Sequence, residues 1–125
     1  MTLGAAQLVA FAGATDLARA REFYEGVLGL AVESEDGFAC VFRSGDTRLR
    51  VTRVGRVVPA PYTVLGWTVA NVERAIAELT ERGVEFLHFD EMKQDELGVW
   101  SAPSGARVAW FKDPDGNTLS VHQLP

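Results

Sequence analysis

Few side chains in this 125-residue chain can do chemistry, and their spacing decides which kind. His88 and His122 are its histidines, and two imidazoles without a third fixed ligand make a weak metal centre. Glu91, Asp95 and Glu96 could offer a carboxylate pair at the rim of a cavity, although a solvated acidic loop is the simpler reading. Cys40 stands alone between apolar residues, so it can close no intramolecular disulfide. No neighbouring histidine or basic group marks it as a nucleophile, and it reads as a small buried hydrophobe. Arg48, Arg50, Arg53 and Arg56 recur at strand-like spacing, as a solvated strand face or, more sharply, a phosphate or carboxylate site. No Ser-His-Asp order, phosphate-binding glycine loop or Cys-X-X-Cys spacing is present.

Aromatic content is the stronger signal. Trp67, Trp100, Trp110, Phe38 and Phe42 are many large rings for a small domain. Most must be core, but Trp100 and Trp110 fall on adjacent strands where they can line a pocket wall. Aromatic walls with a few polar groups, here Arg50, Ser120 and His122, suit a small organic ligand.

The elements that would position these groups form two copies of one unit. Residues 7–12 form a short apolar strand. Thr15 or Asp16 caps a helix over 17–27, whose apolar stripe runs through Leu17, Ala20, Phe23, Tyr24 and Val27, and Gly29 stops it. Strands follow over 30–35, 38–42 and 47–53, with turns at Asp36-Gly37 and Ser44-Gly45-Asp46. Residues 55–61, with one glycine and two prolines, are a linker. The second half opens with a strand over 64–69. Asn71 caps a helix over 72–82, which ends at Gly83, and strands are expected over 84–88 and 99–102 around an acidic loop at 90–98. The chain closes with a hairpin whose tip is Asp113-Pro114-Asp115-Gly116-Asn117. There Pro114 presets φ, Gly116 supplies positive φ, and Asp115 and Asn117 bond their own backbone.

Both halves thus read β, α, β, β, β, and the expected class is α+β: tandem βαβββ repeats forming an open curled sheet. With a one-residue gap Phe42 matches Phe111, Leu49 matches Leu119 and Val51 matches Val121, while Asp16 matches Asn71 at a shift of 55 residues. A sheet with a helix on one face leaves the other uncovered, so two units side by side would enclose a cavity. Strand parity then assigns Leu65, Trp67, Val69, Leu119 and Val121 to the helix side. Val64, Gly66, Thr68, Ser120 and His122 fall on the cavity side, and Val9 shares a face with Phe11.

Asp16-Leu17 with Phe23-Tyr24 and Leu28-Gly29-Leu30, the helix ending Arg82-Gly83-Val84, and above all Phe111-Lys112-Asp113-Pro114-Asp115-Gly116-Asn117 resemble the vicinal oxygen chelate superfamily. That is the group of glyoxalases, bleomycin-resistance proteins and extradiol dioxygenases. The resemblance runs from about residue 9 to 123 and implies the fold more than any reaction. Its enzymes hold a divalent metal with His, Gln and Glu from four inward strand positions. Carried over, those positions fall on Val9, Arg50, Val64 and Ser120, none of them a good ligand, and no metal or other cofactor is expected. Metal-free members include proteins that sequester antibiotics.

Composition is that of an ordinary globular protein, with 47% hydrophobic and 23% charged residues. A net charge of −5 without a Lys/Arg run argues against nucleic acid, and no apolar stretch reaches membrane-span length. No signal peptide is expected at the N-terminus, and the expected location is the cytoplasm. The chain is read as a single domain over 1–125, made of units 1–54 and 62–125 joined by the linker 55–61. The first functional reading is a metal-independent binder of a small, partly aromatic or anionic molecule in the cavity between the units. Val9, Phe11, Arg50, Val64, Trp100, Trp110, Ser120 and His122 are its expected ligand-binding residues. The alternative is a metal-dependent lyase, isomerase or dioxygenase with displaced ligands, in which His122, His88 and Glu96 converge. A blander third reading is a structural or regulatory domain with a collapsed cavity. A two-fold homodimer is expected, because open sheet edges are a liability.

Overall fold

A computed structural model describes residues 2–125. They form eight strands and two helices in two compact units that divide between residues 58 and 59, which bears out the α+β expectation.

In the first unit β1 (Val9–Ala14) is followed by α1 (Leu17–Arg21), capped by the Asp16 carboxylate, which accepts from the Arg19 amide at 3.1 Å. The sequence suggests one helix to residue 27, but the α-helical hydrogen bonding gives way to a π-helical turn over Glu22–Val27. There the Leu28 amide reaches back to the Phe23 carbonyl at 2.9 Å. Gly29, at φ 80°, then lets the Leu30 amide close on the Tyr24 carbonyl at 2.9 Å. β2 (Ala31–Glu35), β3 (Ala39–Ser44) and β4 (Thr47–Arg53) complete a sheet of order β1-β4-β3-β2, in which β1 and β4 run parallel. Tyr24 packs its ring 5.5 Å from Phe42, so Phe42 and its register partner Leu49 face the helix. Cys40 and Val51, two residues along, share that buried face.

The second unit repeats the plan. β5 (Leu65–Thr68) leads to α2 (Val72–Glu81), capped by Asn71, which accepts from the Arg74 amide at 2.9 Å. β6 (Trp100–Ser101), β7 (Arg107–Lys112) and β8 (Thr118–Gln123) give the order β5-β8-β7-β6, with β5 and β8 parallel. Phe86 sits 5.4 Å from Phe111, and Phe111 pairs across the ladder with Leu119, which pairs with Leu65. These residues fill the space under α2.

The expected strand over 84–88 does not form. The Leu87 amide makes one ladder-like bond, to the Trp110 carbonyl at 2.8 Å. Beyond it the chain is captured by a side chain. The Gln94 carboxamide donates to the Leu87 and Gly98 carbonyls at 2.9 and 2.8 Å and accepts from the Phe89 amide at 2.7 Å. Backbone groups that a neighbouring strand would have used are therefore already satisfied. The organiser of the hairpin tip also differs from expectation. It is Asp113, buried, whose carboxylate accepts from the Asp115 and Asn117 amides at 3.0 and 2.9 Å and from the Asn117 side chain at 2.8 Å. Among the described residues no helix is long and apolar enough to cross a membrane.

Candidate functional site

Each sheet has one face under its helix and one face turned away from it. On the first sheet the away face carries Val9 and Phe11 of β1, 39% and 63% exposed, with Arg48 and Arg50 of β4 in register beside them. Arg43 and Arg48 share Glu33, at 3.4 and 2.8 Å. Glu33 lies where the β2–β3 register shifts, and the irregularity sends its carboxylate to the two arginines. Hydrogen bonds from Arg48, then its charge and that of Arg43, hold the Glu33 carboxyl below the usual carboxylate range. The Arg50 side chain makes no hydrogen bond or ion pair among the described residues, and its charge reaches Asp36.

On the second sheet the away face is a grid of three rows set by the register. Thr118 stands beside Lys112 with Val64 at the edge, then Gly66, Ser120 and Trp110, then Thr68, His122 and Val108. Ser120 is fully buried, and its hydroxyl lies 2.6 Å from His122 Nε2. Gly66 makes this arrangement possible, since a Cβ there would come within 2.4 Å of the same nitrogen. Strand parity therefore brings Ser120 and His122 together on one face.

At one end of this grid lies a cavity of about 830 Å³, within the range of roughly 300–1,000 Å³ usual for ligand sites. Its floor is Trp110, Lys112 and Thr118. One wall is the segment of Pro61, Tyr62 and Thr63, pinned to the sheet by three bonds. The Trp110 indole donates to the Thr63 hydroxyl at 2.9 Å, the Val64 amide to the Thr118 carbonyl at 2.9 Å, and the Thr118 hydroxyl to the Ala60 carbonyl at 3.1 Å. The opposite wall is the Gln94-clamped segment, with His88, Phe89, Asp90, Glu91 and Met92. Phe89 meets Trp110 edge to face at 5.7 Å, and Trp100 lies behind, 6.2 Å from Trp110.

Of the eight residues expected to bind a ligand, Trp110 lines this cavity. Trp100 touches Trp110 from outside it. Val64, Ser120 and His122 share the same sheet face, and Val9, Phe11 and Arg50 belong to the first unit. Tyr62, Thr63, Lys112 and Thr118 were missed. Lys112 and Thr118 were within reach of the same parity that placed Trp110 and Ser120, two residues away on their strands. Tyr62 and Thr63 fall between the expected linker, 55–61, and the expected strand, 64–69, where no periodic face assigns them.

The donor set does not fit a resident metal. The four positions carried over from the metal-binding pattern hold two valines, an arginine and a serine already bonded to His122. Among the described residues no three His, Cys, Asp or Glu side chains gather around a common point. His122, His88 and Glu96 therefore form no ligand set, and among the described residues no buried polar side-chain atom is left without a partner.

Residues 7–121 match the family model of the Glyoxalase/Bleomycin resistance protein/Dioxygenase superfamily. The uncharacterized protein YraH of Bacillus subtilis is 28% identical, with 87% of this chain and 91% of that protein covered. Among solved structures, lactoylglutathione lyase from Agrobacterium tumefaciens superposes with a TM-score of 0.75 at 19% identity, covering 95% of this chain and 93% of that one. A glyoxalase/bleomycin resistance protein/dioxygenase from Alicyclobacillus acidocaldarius gives 0.70 at 18% identity, covering 99% and 95%. At these identities the structural likeness speaks for the fold. With the family match spanning nearly its whole length, the chain belongs to the glyoxalase, bleomycin resistance protein and dioxygenase superfamily.

Proposed function

We propose that this protein binds a small organic molecule with a flat ring, without a metal, in the cavity of its second unit. The observation that carries the reading is the cavity itself: Tyr62, Phe89 and Trp110 supply aromatic surface, and Thr63 and Lys112 supply polar groups at its floor and wall. Aromatic faces with a few fixed polar groups are what an organic ring needs for both burial and orientation. Serine at the sheet position where the family's enzymes place a carboxylate ligand supports binding over metal-assisted chemistry. The test is a quinoline titration read by intrinsic tryptophan fluorescence. Saturable quenching that disappears in Trp110→Phe is expected, since Trp67 and Trp100 do not line the cavity. Absence of quenching in the wild type, or stoichiometric transition metal that survives dialysis, would overturn the reading.

We also propose a two-fold homodimer. Each four-stranded sheet, taken by itself, ends in edge strands, and β1 exposes Leu8 beside it together with Val9 and Phe11. Such surfaces are usually covered by association. Sedimentation at micromolar concentration should give twice the chain mass, and a single species near 13.6 kDa would refute it.

A further inference from the structure

Charge is divided unevenly along this chain. Residues 1–58 carry seven Asp and Glu against seven Lys and Arg, whereas residues 59–125 carry ten against five. The whole net charge of −5 therefore resides on the unit that holds the cavity. The same sign prevails at the cavity wall. Asp90 and Glu91 line it, and neither makes a hydrogen bond or ion pair among the described residues. The opposing charge is Lys112, whose ammonium donates to the Thr118 hydroxyl at 2.9 Å, so two lining carboxylates stand against one lining cation. Tyr62, Phe89 and Trp110 line the same cavity as these carboxylates.

We propose that the cavity selects a flat aromatic cation, a ring carrying a quaternary or protonated nitrogen, over its neutral and anionic counterparts. This rests on the small-molecule reading of the cavity and adds the sign of the ligand's charge. A cation within about 6 Å of an aromatic ring is drawn to the negative face of its quadrupole. The two unpaired carboxylates attract it as well, and the net negative field of the unit raises its local concentration at the mouth. An anion of the same shape meets each of these terms with the opposite sign. Because the carboxylates are exposed and screened by salt, the selection is modest, about tenfold for the cation over the neutral ring.

The test uses three probes of nearly one shape: N-methylquinolinium, quinoline and quinoline-2-carboxylate. Their dissociation constants are measured by equilibrium dialysis at pH 8 and low salt, well above the ordinary histidine pKa of about 6.5. The cation should bind about tenfold more tightly than quinoline, and the carboxylate more weakly than either. In Asp90→Asn/Glu91→Gln the cation should lose most of its advantage while quinoline binds as before. In 0.5 M NaCl the gap should narrow in the wild type. Quinoline-2-carboxylate binding as tightly as the cation overturns the charge assignment while the cavity reading stands, and so does a double variant that keeps the full preference. If none of the three probes binds, the cavity reading itself fails, and this inference with it.

Discussion

Gln94 gives the sharpest test of how the cavity is built, because one carboxamide holds its outer wall through three bonds. The acceptor oxygen takes the Phe89 amide at 2.7 Å, and the amino group bonds the Leu87 and Gly98 carbonyls at 2.9 and 2.8 Å. Phe89 in turn meets Trp110 edge to face at 5.7 Å, so the clamp sets the distance between two cavity rings. In Gln94→Met the volume is kept and all three bonds go. At about 0.5–1.5 kcal/mol each the sum would reach roughly 1.5–4.5 kcal/mol. Water can reach the Phe89 amide and, in part, the two carbonyls, so the expected loss is about 1–3 kcal/mol in urea denaturation. Gln94→Glu separates the terms. It keeps the acceptor but places a carboxylate against two carbonyls, which disfavours the charged form and raises its pKa above the ordinary glutamate value. A raised carboxyl pKa means the folded state holds its proton longer than the unfolded state. Relative to wild type, this variant should therefore regain stability as pH falls from 7 through that raised pKa. Hydrogen exchange at the Phe89 amide supplies a local readout, with protection lost in Gln94→Met and largely kept in Gln94→Glu. A Gln94→Met protein within 0.5 kcal/mol of wild type, with Phe89 still protected, would refute the clamp.

Three further outcomes follow from named contacts. Gly66→Ala puts a methyl 2.4 Å from His122 Nε2 and 3.1 Å from the Ser120 hydroxyl, so the imidazole must swing away and leave a buried hydroxyl unpaired. A net loss of about 1 kcal/mol is expected after the gain from removing glycine, and a variant as stable as wild type in urea denaturation would contradict the packing. Burial first, and the Glu35 charge second, push the Cys40 thiol up, so Ellman's reagent at pH 8 should modify it only at the rate of unfolding, and a fast reaction in native buffer would show the site to be open. With its pKa raised in the folded state, this thiol should also make stability fall as pH climbs past the ordinary value of about 8.5. Asp36 is held below the usual carboxylate range by the Phe38 and Ala39 amides, which donate to its carboxylate at 2.8 and 2.9 Å. Its contribution should be present at neutral pH and lost as pH falls through the lowered pKa, which a ¹³C NMR titration of Asp36 would check.

The fold was legible because its determinants are local and periodic. Asp16 and Asn71 cap their helices as their residue types suggest, Gly29 and Gly83 end them at φ 80° and 96°, and two-residue parity assigns Ser120 and His122 to the face opposite Leu119 and Val121. What the sequence hid depends on contacts between residues without a periodic signature. Nothing near residue 94 announces that a glutamine will take the ladder bonds of residues 87 and 89, so the segment 84–88 looked like a strand. Its β-branched and aromatic residues satisfy strand propensity, but propensity yields to whichever partner reaches the backbone first. The cavity was obscured for the same reason. Two of its walls are irregular segments, and irregular segments carry no face that parity can assign. Trp110 was legible because it stands on a strand, whereas Tyr62 and Phe89 come to it through Thr63 and Gln94. In this unit the regular sheet supplies the floor, and the side-chain bonds of Thr63 and Gln94, which stand outside it, hold the aromatic walls in place. Changes of specificity within such a scaffold should therefore appear first at residues 61–63 and 88–92, where a substitution can move a wall without touching the sheet.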